Sequence, residues 1–247
     1  MDSLTITAAS GLRARIESLD MLANNIANSE TSGYKTDREF YNIFTSEDAT
    51  GAEGQDPSAL PVIEKNYTDF SAGVVRPTSN PLDFAIQGKG FFTVNSPSGV
   101  AYTRNGSFQI SAAGTLVTAD GNAVLDKDGK TITLDPSVPV SVGPDGTISQ
   151  AGSTAAQMAL VDFASPGDLS KQGNTMFRPG DPKILPVAAP AGSEIQQGKL
   201  EGSNVSSSEA AVRLVSVMRQ FEMMQKAVNI AKEMNDKAIQ EVAKVGA

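Results

Sequence analysis

From Ser203 to Val245 the apolar residues Leu214, Met218, Phe221, Met224, Val228, Ala231, Met234, Ala238 and Val242 recur at steps of three and four. An average step of about 3.5 residues lays one continuous stripe along a helix, of the kind that wants a partner. Ser206-Ser207-Ser208-Glu209 sets a hydroxyl three positions before an acid, which starts a helix by satisfying its first backbone donors. Glu209 with Arg213, Glu222 with Lys226 and Glu233 with Lys237 stand four apart, acid first, on the faces left for water. No Gly or Pro interrupts before Gly246, so the spacing predicts a rod of roughly 55 to 60 Å.

The chain opens on the same logic. Leu12, Ile16, Leu19, Ala23 and Ile26 follow at spacings of 4, 3, 4 and 3, and Ala9 extends the seam backward. The run Ala23-Asn24-Asn25-Ile26-Ala27-Asn28-Ser29-Glu30-Thr31-Ser32-Gly33-Tyr34-Lys35 then brings in residues that favour caps and turns, so this helix should end near Asn28 with Gly33 turning the chain. Taken alone its amides read first as caps of the helix, and they also suit contacts that knit one subunit to another. Two unpartnered amphipathic helices at the ends of one chain most simply pack together as a coiled-coil-like core.

Between the helices the period changes to two. Short runs such as Phe84-Ala85-Ile86, Phe91-Phe92-Thr93-Val94, Tyr102-Thr103, Leu116-Val117, Ile132-Thr133-Leu134 and Val140-Ser141-Val142 read as strands. Ser98-Gly99, Asn105-Gly106, Ala113-Gly114, Asp120-Gly121, Asp128-Gly129 and Asp145-Gly146 punctuate them as hairpin turns. Many strands at roughly ten-residue spacing predict a mainly antiparallel sandwich or barrel. The fold class expected is therefore α+β: residues 1–74 form an N-terminal helix and extended segment, 75–189 a central all-β domain, and 190–247 a return segment and C-terminal helix. Thr45 to Pro57 holds no apolar residue larger than alanine and is expected to be mobile in a free subunit. Five prolines between Asp162 and Pro190 mark a long irregular return.

Composition narrows the function. With 247 residues and 40% hydrophobic content the chain can build a real core. A net charge of -8 and a pI near 4.6 argue against a nucleic-acid partner, which would need a basic face. The absence of Cys and His removes disulfides, Cys/His zinc sites and Cys or Ser–His nucleophiles. No run of eighteen apolar residues predicts membrane insertion, and Met1-Asp2-Ser3 does not begin a cleavable secretory signal. Among local motifs, Asp126-Lys127-Asp128-Gly129 has Val124 where a calcium loop needs a carboxylate, and Gly88-x-Gly90 lacks the Lys-Ser/Thr of a phosphate loop. Both read as turns. An acid pair such as Asp135 with Asp145 keeps a glycosidase-like alternative open. No catalytic, cofactor-binding or metal-ligating residue is assigned, and no cofactor is expected.

The Ala-Asn-Asn-Ile-Ala-Asn run leading to Thr31-x-Gly33-Tyr34-Lys35 resembles the N-terminal signature of the bacterial flagellar rod, hook and hook-junction family. Leu82 to Phe92 with Tyr102-Thr103-Arg104-Asn105-Gly106-Ser107-Phe108 resembles its central segment, and Gly198-Lys199-Leu200-Glu201-Gly202-Ser203-Asn204-Val205 its entry to the C-terminal helix. Within that family Arg219-Gln220-Phe221-Glu222-Met223 is similar to the proximal-rod type, with the distal-rod type as the alternative. The resemblance implies a structural subunit of the flagellar basal-body rod, exported by the flagellar type III apparatus without a cleaved signal and placed in the periplasm. Its implied partners are copies of itself, neighbouring proximal-rod and distal-rod proteins and that export apparatus. Assembly would then use Leu12, Ile16, Leu19, Asn24, Asn25, Ile26, Asn28, Thr31, Gly33 and Tyr34 at one end, and Leu214, Met218, Phe221, Met224, Val228 and Ala231 at the other. A secreted carbohydrate-active enzyme and a soluble binding module are the readings from other classes.

Overall fold

The computed structural model describes residues 3–45, 59–173 and 175–245. Two compact units emerge: a helical one drawn from Met1–Ile26, Asp37–Tyr67 and Ser206–Ala247, and a β unit drawn from Ala27–Thr36 and Thr68–Val205. Residues 27–36 and 190–205 thus go with the β unit, whereas the sequence reading groups them with the terminal segments. The polar stretch from Thr45 to Pro57 lies, after Thr45, outside the described residues.

The helical unit holds α1 (Ser3–Ala27), a two-stranded sheet of Asp37–Thr45 and Ala59–Thr68, and α2 (Ser207–Val245). The amide of Glu209 donates to Ser206 Oγ at 3.4 Å, which is the hydroxyl half of the cap read from the sequence. The expectation of two long helices packed as a coiled-coil-like core is overturned. Only two α-helices occur among the described residues, and α1 runs for 25 residues against 39 in α2. On α1 the buried positions are Gly11, Ala14, Ser18, Met21, Leu22 and Asn25, while Ile16 of the expected seam is 46% exposed. A Cβ at Gly11 would stand 3.0 Å from Met224 Sδ, so α1 comes close to α2 at a glycine outside the expected seam. On α2, Val217 is buried and Met218, expected inside, is 47% exposed. The covered row is Ala210, Leu214, Val217, Phe221, Met224 and Val228, again at steps of three and four. The side chains of Ala231, Ala238 and Val242 lie outside the described residues.

In the β unit the strand Phe91–Ser96 is central because its alternate side chains serve two cores. Phe92 and Val94 enter a large cluster with Phe84, Phe108, Leu116 and Ile148, whereas Phe91 turns the other way to meet Tyr102, Phe163, Leu169 and Phe177. Burial on both faces explains why Phe91-Phe92-Thr93-Val94 is a continuous rather than an alternating run. The nine-stranded sheet runs Leu169–Gln172, Met176–Pro179, Gly99–Thr103, Phe91–Ser96, Ala123–Val124, Leu116–Thr118, Phe108–Ile110. Leu160–Asp162 joins Phe91–Ser96 and also pairs with Val187–Ala188. All pairings within this sheet are antiparallel, and the central domain is mostly β as expected, with smaller sheets contributing Phe84, Ile148 and Ile195 to the same large cluster. The return segment completes the unit: Glu194–Gln197 pairs with Phe84–Gln87, and Lys199–Glu201 with Val75–Pro77.

A third small sheet, Val140–Val142, Thr147–Gln150 and Ser153–Gln157, contains a two-residue hairpin closed by Gln150 opposite Ser153. Ala151 stands there at φ 50° and Gly152 at φ 81°, the left-handed pair that Asn-Gly provides without strain. Alanine in that region is held against its preference by about 1 kcal/mol. Ala151→Asn is therefore expected to raise the melting temperature of the purified chain by roughly 2 to 4 °C, measured by circular dichroism. An unchanged or lower value would contradict the strain.

Candidate functional site

The three motifs that the sequence reading places far apart meet at one carboxylate in the β unit. Gly33 turns the chain at φ 69°, and its N–H donates to the Glu201 carbonyl at 2.8 Å. A Cβ there would lie 2.3 Å from the Asn105 backbone nitrogen, so only glycine lets the first motif settle on the second. The turn delivers Tyr34 and Lys35 into the interior, where both are fully buried. Lys35 Nζ donates to Glu201 Oε1 at 2.6 Å and to the Ser71 carbonyl at 2.7 Å. Arg104 Nη1 donates to Glu201 Oε2 at 3.1 Å, and its Nη2 to the Gly88 carbonyl at 2.9 Å. The Gly73 N–H completes the carboxylate's shell at 2.9 Å.

Two buried cations thus share one buried anion, and the surplus positive charge is met by the Ser71 and Gly88 carbonyl oxygens. Burial pulls the Lys35 ammonium below its ordinary pKa, and attraction to Glu201 opposes that pull. Such a cluster adds little net stability over an apolar core. Removing one partner nevertheless costs about 3 to 5 kcal/mol, so its chief effect is to fix which segments meet. A second polar layer surrounds it. Asn204 Oδ1 accepts from the Thr36 N–H at 2.8 Å, and Asn204 Nδ2 donates to the Asp69 carbonyl at 2.8 Å. Lys171 Nζ lies 4.2 Å above the Tyr34 ring and donates to the Lys35 carbonyl at 2.8 Å.

The predicted assembly residues fall in several places. Gly33 and Tyr34 belong to this junction, and Thr31 Oγ1 donates to Asn28 Oδ1 at 3.2 Å in the turn before it. Asn25 works inside the helical unit, where its side chain donates to the Asp37 carbonyl and accepts from the Asp37 N–H at 2.9 and 3.1 Å. It locks the end of α1 to the start of the following strand. Asn24 is exposed; Leu12, Leu19 and Ile26 are half-buried, as are Leu214, Phe221, Met224 and Val228 on α2. Lys35, Arg104, Glu201, Asn204 and Lys171 were not singled out as site residues. The signal for the first four was a charged or amide side chain set among Gly, Tyr and Ser inside each motif.

The remaining chemical candidates serve turns. Asp126 Oδ1 accepts from the Asp128 and Lys130 N–H groups at 2.9 and 2.8 Å. The Ser137 hydroxyl and amide hold Asp135 below the usual carboxylate range, and those of Thr147 do the same for Asp145. Both stay ionised at neutral pH, opposite to the raised pKa that a glycosidic general acid requires. Among the described residues no three acidic side chains gather as a metal site, and no helix is long and apolar enough to cross a membrane.

Comparison with known proteins gives the same three segments separate matches. Residues 7–35 match the flagella basal body rod protein family. Residues 85–150 match the flagellar hook protein FlgE/F/G D1 domain, and residues 196–241 the C-terminal domain of the flagellar basal body rod FlgEFG proteins. Each matched segment contributes one member of the buried cluster: Lys35, Arg104 and Glu201. The chain is 33% identical to the flagellar basal-body rod protein FlgF of Caulobacter vibrioides, with 92% of each chain covered. It is 32% identical to FlgF of Mesorhizobium japonicum over 96% of both chains. With FlgG of Caulobacter vibrioides it shares 31% identity over 92% of this chain and 95% of the relative. Similarity that runs the whole length of the chain, with the three motifs in order and in contact, shows that the chain belongs to the flagellar basal-body rod protein family.

Proposed function

We propose that this chain is a subunit of the proximal part of the flagellar rod, the shaft that carries torque from motor to hook, and that it docks on neighbouring rod subunits through its terminal helices. The observation that carries the reading is a second apolar face on α2. Val212, Val215, Met223, Ile230 and Met234 are 49 to 73% exposed on the side away from the covered row, and residues from Ala211 to Met223 line an open groove along it. So large an apolar strip on an exposed helix marks an interaction surface. Its occupant is α1 of an adjoining rod subunit, whose Ile16 is 46% exposed one turn before Asp20. Arg219 lines the groove and complements Asp20, while Glu17 is paired with Arg13 of its own helix. The partners are further copies of this chain and other members of its family. Export by the flagellar type III apparatus and a periplasmic position follow from membership in a rod, and no reaction centre is proposed.

Met223→Asp should leave the fold within about 0.5 kcal/mol, since the side chain is already exposed. In the assembly it would bury a charge without a partner. Cells carrying it are expected to lose swimming and to build basal bodies that stop before the distal rod, as would cells lacking the chain. Normal motility of the variant would overturn the docking face, and a complete distal rod in cells lacking the chain would overturn the proximal position. The distal-rod reading has one observation in its favour, the nearly equal identity to FlgG. It predicts instead that the proximal rod is complete and the hook absent.

A further inference from the structure

We propose that residues 27–36 form a clip that docks on the β unit and leaves it as one piece, with Glu201 as the latch. Neither hydrophobic cluster of the β unit contains a residue between 27 and 36. Apart from the Tyr34 ring, buried with Lys171 above it, the attachment is polar: Gly33 N–H to the Glu201 carbonyl, Lys35 to the Glu201 carboxylate, Thr36 N–H to Asn204 and the Asp69 N–H to the Thr36 carbonyl. Water can replace every one of these bonds. Opening also returns Lys35 and Glu201 to solvent, which offsets much of the lost attraction because a buried ion pair is close to balanced against its own hydration. The clip therefore opens well below the free energy of unfolding the sheet, as other polar-bound segments do.

Opening is all-or-none because Glu201 holds the clip at two places at once, through its carbonyl at Gly33 and through its carboxylate at Lys35. The same carboxylate tethers Gly73 and Arg104, so the latch stays anchored in the β unit when the clip departs. The flanks of the clip, through Ile26 and from Asp37, belong to the helical unit. It is the one short stretch of that part of the chain lent to the sheet.

Hydrogen exchange of the full-length chain, followed amide by amide, tests this. The Gly33, Thr36 and Asp69 amides are expected to exchange together, about 100-fold faster than those of Leu116, Leu125 and Ile132 in the core. Glu201→Gln should speed the first group at least about tenfold further and the core group by less, since the loss at Arg104 weakens the whole unit while the loss at Lys35 falls on the clip alone. The proposal is overturned if the clip amides exchange at the core rate, or if Glu201→Gln accelerates both groups alike. A Glu201→Gln chain that fails to fold overturns it as well, because the core would then depend on the latch.

Discussion

Gly106→Ala is expected to lower stability by about 3 kcal/mol or more, and the melting temperature by roughly 6 to 12 °C. The cause is contact, not conformation, since Gly106 is absent from the positive-φ glycines. A Cβ on it would fall 1.9 Å from the Phe84 carbonyl oxygen and 3.1 Å from the Phe92 ring. The Phe84 N–H donates to the Gly106 carbonyl at 3.0 Å, so the two backbones cannot part without losing that bond. Phe84 and Phe92 are themselves 1% and 0% exposed, in the larger core cluster, and have no room to retreat. On the other side Gly33 presses on Asn105, so the Arg104–Gly106 segment is held from both directions. A thermal melt of the variant within about 2 °C of the parent would show that the sheet yields there after all.

Gly106 also shows where sequence reading stops. Asn105-Gly106 reads as a hairpin dipeptide, and Asn105 Oδ1 does accept from the Ser107 N–H at 3.0 Å. The need for glycine at 106, however, comes from Phe84, distant in sequence. Strands and turns were legible because alternation and Gly-containing dipeptides are local signals. Strand order was not, because pairings such as Phe91–Ser96 with Ala123–Val124 join segments far apart in sequence. On α2 the 3.6 period identified the helix and four of its covered residues, Leu214, Phe221, Met224 and Val228, but placed Met218 where Val217 is buried. Val217 and Met218 are both apolar, and a helix with two apolar faces gives periodicity no way to choose between them. On α1 the buried row begins with the small residues Gly11, Ala14 and Ser18, which a search for large apolar residues passes over, before it reaches Met21 and Leu22. The coiled-coil expectation failed on that point.

The buried cluster was hidden for another reason. Lys35 and Glu201 stand 166 positions apart, and Arg104 and Glu201 97, so only the fold pairs them. Each charge alone reads as a surface residue, the usual place for Lys, Arg and Glu. What the motifs held was their juxtaposition: three short segments, each with a charge among small residues, whose charges find their partners only when all three come together.

Arg104→Lys is the substitution that isolates the geometry of that meeting from its charge. Arginine reaches two acceptors from one planar group, Glu201 Oε2 at 3.1 Å and the Gly88 carbonyl at 2.9 Å, with its Cζ 5.5 Å from the Phe91 ring centroid. A lysine ammonium keeps the charge but not the fork, so one acceptor is left without its donor and the flat contact with the ring is lost. The first loss is worth about 1.5 to 3 kcal/mol and the second about 1. We therefore expect Arg104→Lys to destabilise the chain by roughly 3 kcal/mol in urea unfolding. Because the group is 6% exposed, the difference from the parent should be the same at low ionic strength and near 1 M salt, where surface pairs are screened. A difference under about 1 kcal/mol, or one that disappears in high salt, would mean that Arg104 acts as a solvated charge and that Glu201 is held by Lys35 alone.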